Sequence, residues 1–259
     1  MNRAPRIAVV IPAYQEAATI ADIAQRARAH ADAVFVVDDG SRDGTAEAVA
    51  GLDLSLIRHT RNLGKGASLA NGIARALEGG ADAVVTLDAD GQHEPEDIPR
   101  LVRAWQAAPG DVIVGARLRH AERAPRLRKA ANRVGDFWIG WAAGQAIDDS
   151  QSGFRLYPAA LLQRVSVPSG RGRGFVYESE LLIECARAGA GIRSVAIESI
   201  YGANARPSHF RPIADIAAIT RMVAVKLVSR GMYPQGLYRL LVARRRPGGT
   251  EGDAAGADR

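Results

Sequence analysis

Asp88, Asp90 and Gln92 stand at alternate positions in the stretch VVTLDADGQHEPED, directly behind an apolar run. Two carboxylates this close repel each other, so something must compensate their charge. Two hard oxygen donors, with a carboxamide two residues on, suit Mg2+ or Mn2+. Such ions bind through one or two carboxylates and complete their shell from water and substrate phosphates. The plainer reading is a polar loop, with Glu94, Glu96 and Asp97 favouring the start of the next helix. His93 has no second histidine near it, which argues against a ligand role.

A second acidic pair, Asp38 and Asp39, opens DDGSRDGT. Gly40 and Gly44 admit positive φ there, and Asp43 or Thr45 can cap the helix that follows. The stretch is either a well-made strand-to-helix turn or a place where Asp38 or Asp39 accepts hydrogen bonds from a base or ribose. In RNLGKGASLANG, Lys65 brings an ammonium beside a helix start, where phosphate is favoured. Neither the G-x-x-x-x-G-K-[ST] nor the G-x-G-x-x-G spacing is present, so a P-loop and a dinucleotide-binding turn are both disfavoured. Asp148 and Asp149 in IDDSQSGFR read as a turn, or as a general base if the substrate accepts on a hydroxyl.

The elements that must position these residues alternate. RIAVVIPAY, AVFVVDDGS, LSLIRHT, DAVVTLDAD and DVIVGAR read as strands, with helical spacing between them. Continuous Val/Ile strands alternating with helices imply an α/β fold with a mostly parallel central sheet flanked by helices. Ligands bind beyond the carboxyl ends of such strands, where three of these strands carry polar tips. The second half is less regular. KAANRVGDFWIGWAAGQ reads as a helix with Phe137, Trp138 and Trp141 as core or membrane-surface anchors, SGFRLYP as a strand, and YESELLIECARAGAG as a helix holding Cys185 as a buried thiol.

At 259 residues, 47% hydrophobic and 24% charged, the chain has the composition of a soluble globular protein, and its single cysteine excludes an internal disulfide. No run of about 18 uncharged apolar residues is present, and the segment 213–231 is broken by Asp215, Arg221, Lys226 and Arg230. With no secretory signal at the start, the expected location is cytoplasmic. Residues 1–202 carry 24 basic and 24 acidic side chains, whereas residues 203–259 carry ten and four. A second basic run, residues 117–133, sets seven Lys/Arg against Glu122. Basic patches on a neutral body point to an anionic partner: phosphate, an anionic membrane or nucleic acid. No helix-turn-helix, zinc or RNA-recognition signature supports nucleic acid.

Six stretches, VVIPAYQEAATI, VVDDGSRDGT, RNLGKGASLANG, LDADGQHEPEDI, GAR and DSQSGFRLY, occur in this order and resemble the signatures of family 2 glycosyltransferases of the GT-A fold. The likeness covers residues 6–157 and is strongest to the dolichol-phosphate mannosyltransferase, or polyprenyl-phosphate, branch. It implies one GT-A domain over 1–230, with a nucleotide-sugar half (1–116) and an acceptor half (117–230). A basic segment, 231–259, follows, expected to be disordered from about 247. It further implies that Pro12, Ala13, Tyr14 and Glu16 line a nucleoside pocket, joined by Asp38, Asp39 and Lys65. Asp88, Asp90 and Gln92 would hold Mg2+ or Mn2+ on the diphosphate of a GDP- or UDP-sugar. Arg117, Arg128, Asn132 and Arg206 would meet an acceptor phosphate, and residues 152–155 would shape the sugar region. Asn132 stands where the family commonly carries a hydroxyl, and ARPSHFRP replaces a glycine-rich RxxGxSK segment.

The implied activity is metal-dependent, inverting transfer of a sugar to a polyprenyl phosphate at the inner face of a membrane. The alternative is transfer to a hydroxyl of a lipid or glycan. A phosphate acceptor is largely a dianion at neutral pH and needs cations rather than a base. A hydroxyl acceptor needs a base, for which Asp149 is the candidate.

Overall fold

The computed structural model describes residues 3–117, 126–170, 174–197 and 212–245. Its strands are β1 (Ile7–Ala13), β2 (Ala33–Asp38), β3 (Ser55–Arg58), β4 (Ala83–Thr86), β5 (Val112–Ala116), β6 (Arg155–Pro158) and β7 (Ile192–Ala196). They form one sheet in the order β3-β2-β1-β4-β6-β5-β7. β6 runs antiparallel to both neighbours, and the other pairings are parallel. The single reversal has a functional result. The chain enters β6 at the sheet edge where β1, β2, β4 and β5 end, so the segment before β6 joins their tips.

The helices are α1 (Ile20–Arg28), α2 (Thr45–Ala48), α3 (Lys65–Glu78), α4 (Ile98–Ala107), α5 (Arg126–Ala143), α6 (Ala159–Leu162), α7 (Gly174–Arg187), α8 (Pro212–Val228) and α9 (Pro234–Arg245). Every β1 residue is buried, and its side chains alternate between two cores. Ile7, Val9 and Ile11 pack with Ile20, Ile23, Ile98, Leu101 and Trp105 of α1 and α4. Ala8 and Val10 face Leu69, Ile73, Ile139 and Leu182 of α3, α5 and α7. This double burial is why the strands read as unbroken apolar runs.

No sequence signal singled out α9, whose apolar and basic residues are mixed around the helix. Cys185 is fully buried, and burial pushes its thiol up to about 12, which makes it an inert packing residue. Among the described residues, no helix is long and apolar enough to cross a membrane.

Candidate active site

The loops after β1 and β2 build one wall of a crevice at the carboxyl edge of the sheet. Gln15 N–H donates to Ser41 Oγ (2.9 Å), Glu16 N–H to Thr45 Oγ1 (2.9 Å) and Ala17 N–H to Asp43 Oδ2 (3.1 Å). The SRDGT turn therefore clamps the loop carrying Tyr14 and Glu16, while Pro12 and Ala13 lie in β1 beside Val37 and Asp38. Gly40 has φ +73° and lies against Arg61, where an added Cβ would come within 2.6 Å of backbone. Thr19 Oγ1 donates to the Ala89 carbonyl (2.7 Å), tying this wall to the acidic loop. A cleft of about 340 Å³ lies at the tips of β2 and β3, lined by Gly40, Ser41, Arg42, Arg58, His59 and Thr60.

Asp38 and Asp39, expected near a base or ribose, both lie at this edge and both have partners within the fold. Asp39 is 3% exposed. It accepts from Leu63 N–H (2.8 Å) and Gly64 N–H (2.7 Å), and pairs with His59 Nδ1 (2.8 Å). His59 Nε2 meets Asn71 Nδ2 at 2.9 Å. With Asn71 donating, the histidine proton sits on Nδ1 and points at Asp39. Asp38 is fully buried, accepts from Ser41 N–H (2.9 Å) and faces Arg58 Nε at 3.2 Å.

At the centre, Lys65 from the start of α3 reaches Asp88 Oδ1 (2.7 Å) and Glu178 Oε2 (2.8 Å). Burial works against its charge, but Asp88 and Glu178 outweigh that and hold the ammonium's pKa above the ordinary lysine value. Burial likewise opposes the Asp88 charge, and Lys65 overcomes it, so Asp88 stays below the ordinary aspartate range. Asp90 goes the other way, raised first by burial and then by the Asp88 charge. The repulsion expected from the spacing is real and falls on Asp90. Gln92 joins through its backbone N–H, which donates to Asp90 Oδ1 (3.0 Å). His93 is 3% exposed, its Nδ1 has no hydrogen-bond partner among the described residues, and burial lowers its pKa to about 4. Glu94 and Glu96 bind Arg26, and Asp97 pairs with Arg100.

The opposite wall is the segment before β6. Arg117 donates its backbone N–H (3.0 Å) and Nε–H (2.7 Å) to Asp149 Oδ2, and a terminal N–H to Oδ1 (2.6 Å). Burial disfavours the Asp149 charge, but Arg117 holds the carboxyl below its ordinary value. Asp149, the candidate base for a hydroxyl acceptor, is thus bound on both oxygens by Arg117. Arg155, expected to shape the sugar region, is 1% exposed. It donates to the carbonyls of Ser150, Ser152 and Glu178 at 2.7–2.8 Å and ties this wall to α7. The Arg128 and Asn132 side chains and Arg206 lie outside the described residues.

A divalent cation fits this crevice on two observations. The Lys65 ammonium already stands in for a cation on Asp88. Gly153 also leaves the carboxylate its space: a Cβ there would lie 2.3–2.8 Å from the Asp88 carboxylate atoms. Among the described residues no three His, Cys, Asp or Glu side chains form a metal cluster. An ion on Asp88 and Asp90 would therefore take further ligands from phosphate and water. Sequence reasoning missed Glu178 and His59. Nothing local separates Glu178 from Glu180 and Glu184 on the same helix, and only the packing of α7 on α3 turns it to Lys65.

Comparison with known proteins places the chain in a family. The chain is 30% identical over 216 residues to a UDP-N-acetylglucosamine–dolichyl-phosphate N-acetylglucosaminyltransferase of Methanococcus voltae, covering 75% of this chain and 86% of that protein. It is 30% identical over 205 residues to an undecaprenyl-phosphate mannosyltransferase of Micrococcus luteus, covering 74% and 82%. Glucosyl-3-phosphoglycerate synthase from Mycobacterium tuberculosis, solved with Mg2+ and UDP, shares the fold at a TM-score of 0.61 and 24% identity, covering 87% of this chain and 79% of that one. Residues 8–169 match the model of glycosyl transferase family 2, and the chain belongs to that family.

Proposed function

We propose that the protein transfers a sugar from a nucleoside-diphosphate sugar to a polyprenyl phosphate, with inversion and with a divalent cation, at an anionic membrane face. The meeting of Lys65, Asp88 and the Arg117–Asp149 clamp in one crevice carries this reading. The Methanococcus and Micrococcus relatives, named for dolichyl and undecaprenyl phosphate, support the acceptor class. The M. tuberculosis structure, which contains Mg2+ and UDP, supports the donor class.

The nucleoside would lie against the Tyr14–Glu16 loop and the cleft beside Ser41 and His59. Asp88 and Asp90 would hold the cation, which neutralises charge developing on the departing diphosphate. Lys65, anchored by Glu178, would turn from Asp88 to that diphosphate. Arg117, held rigid by Asp149, would orient the acceptor phosphate dianion, whose oxygen needs no base. The basic stretch from residue 203 onward would add attraction to the membrane at about 1 kcal/mol per cation near the surface.

The test is incubation with labelled UDP- and GDP-sugars, Mn2+ or Mg2+ and undecaprenyl phosphate, with product anomer read by NMR. Label should enter the lipid phase with inverted configuration, and Asp90→Ala should abolish it. Donor consumption only with hydroxyl acceptors, or none at all, sinks the reading.

A further inference from the structure

A second cavity, of about 590 Å³, opens at the other edge of the sheet, among Arg187, Arg230, Arg239, Tyr233 and Gly144. It lies beside Gly191, which precedes the first residue of β7, so the length of the sheet separates it from the crevice above. We propose that this cavity is a binding site for a phosphate-bearing anion.

Three arginines line it, Arg187 partly buried and Arg230 and Arg239 exposed. Arg187 is fixed by the carbonyls of Ala142 (3.3 Å) and Lys226 (3.2 Å) and by Glu184 (3.1 Å). Burial lowers its pKa, and the Arg230 charge adds to that against the opposing pull of Glu184. The neighbouring acids are committed: Glu184 also holds Lys226, and Asp111 holds Arg193. Among the described residues, Arg230 and Arg239 have no acidic partner. The cavity therefore concentrates positive charge that the fold does not neutralise.

The corner that builds it is strained. Gly231, Met232 and Tyr233 have φ of +57°, +64° and +42°. Left-handed backbone at two consecutive non-glycine residues is costly, and such strain gathers at ligand sites. The Tyr233 ring is seated where Gly144 and Gly236 leave room, since a Cβ at either would come within 2.7 Å or 2.1 Å of it. Trp141 Nε1–H donates to the Tyr233 carbonyl (3.2 Å). The Arg230 guanidinium lies 5.1 Å from the Tyr233 ring centre. The corner thus places Arg230 over the Tyr233 ring, on the same cavity as Arg187. Planar guanidinium groups match phosphate oxygens in pairs. The same corner exposes Val228, Met232 and Tyr238, so the phosphate could be free or carried by a lipid headgroup.

The experiment compares the full chain with Arg230→Gln/Arg239→Gln and with a charge-matched control away from the cavity, Arg3→Gln/Arg28→Gln. Labelled orthophosphate is measured by equilibrium dialysis in EDTA, which suppresses metal-dependent binding in the crevice. Sedimentation uses phosphatidylcholine vesicles with and without phosphatidylglycerol. The wild type and the control should bind one or both anionic probes saturably, and the cavity variant roughly tenfold or more weakly. Orthophosphate binding identifies a free anion, and binding to anionic vesicles alone identifies a headgroup. If the double variant does not fold, Arg239→Gln alone takes its place. Absence of binding to either probe, or equal binding by cavity variant and control, overturns the proposal.

Discussion

At the scale of single residues, the acidic loop is a balance of charges that two substitutions expose. Lys65→Met leaves Asp88 without its ammonium. The metal-free protein should lose roughly 2 kcal/mol of stability, the cost of an unpaired, half-buried carboxylate. Mn2+ should then stabilise the variant more than the wild type, because the ion no longer competes with the lysine. Thermal melts with and without Mn2+ read both effects. His93 makes a second case. Its pKa falls from 6.5 to about 4 on folding, so the unfolded chain takes up the proton first. Its contribution to stability is full above pH 6.5, declines as the pH falls, and is lost below about 4. The decline amounts to about 3 kcal/mol. Urea unfolding from pH 7 to 4 should show this slope in the wild type and a flatter profile in His93→Gln.

At the scale of elements, function depends on how close two loops come. The segment before β6 passes Asp88 with no room for a side chain at Gly153. Gly153→Ala should push the Asp88 carboxylate off Lys65 and off the cation position. Metal-dependent nucleotide affinity should fall roughly tenfold or more, measured by calorimetric titration with UDP and GDP, while far-UV circular dichroism stays unchanged. An alanine that left this affinity intact would show that the acidic loop relaxes freely. The Arg117–Asp149 clamp belongs to the same segment. Asp149→Asn should remove about 3 kcal/mol, since it leaves a half-buried guanidinium without its carboxylate. Urea unfolding at neutral pH would measure that loss.

At the scale of the whole molecule, two cores lie on either side of the sheet and carry the helices that flank it. Leu101 on α4 is fully buried in the core that faces α1. Leu101→Ala should cost about 3 kcal/mol in urea unfolding. Far below its melting temperature the variant should keep wild-type nucleotide affinity, because the opposite core carries α3 and Lys65.

The sequence by itself determined the alternation of strands and helices in the first half, the polar tips of three of those strands, and Asp88 and Asp90 as an acidic pair behind one of them. These are legible because buried parallel strands leave continuous apolar runs, and because strand tips carry their polar residues locally. Only the tertiary structure decided partnerships across long separations. Asp39 meets the 59–64 loop, and Asp149 pairs with Arg117. Glu178, 113 positions from Lys65 in the chain, became its anchor. A carboxylate's local sequence says that it is charged, but whether it faces a ligand or a buried donor depends on which distant element packs against it. The antiparallel β6 and the α8–α9 corner belong to the same class, since the direction of a short strand and the seat of Tyr233 between two glycines are set by packing alone.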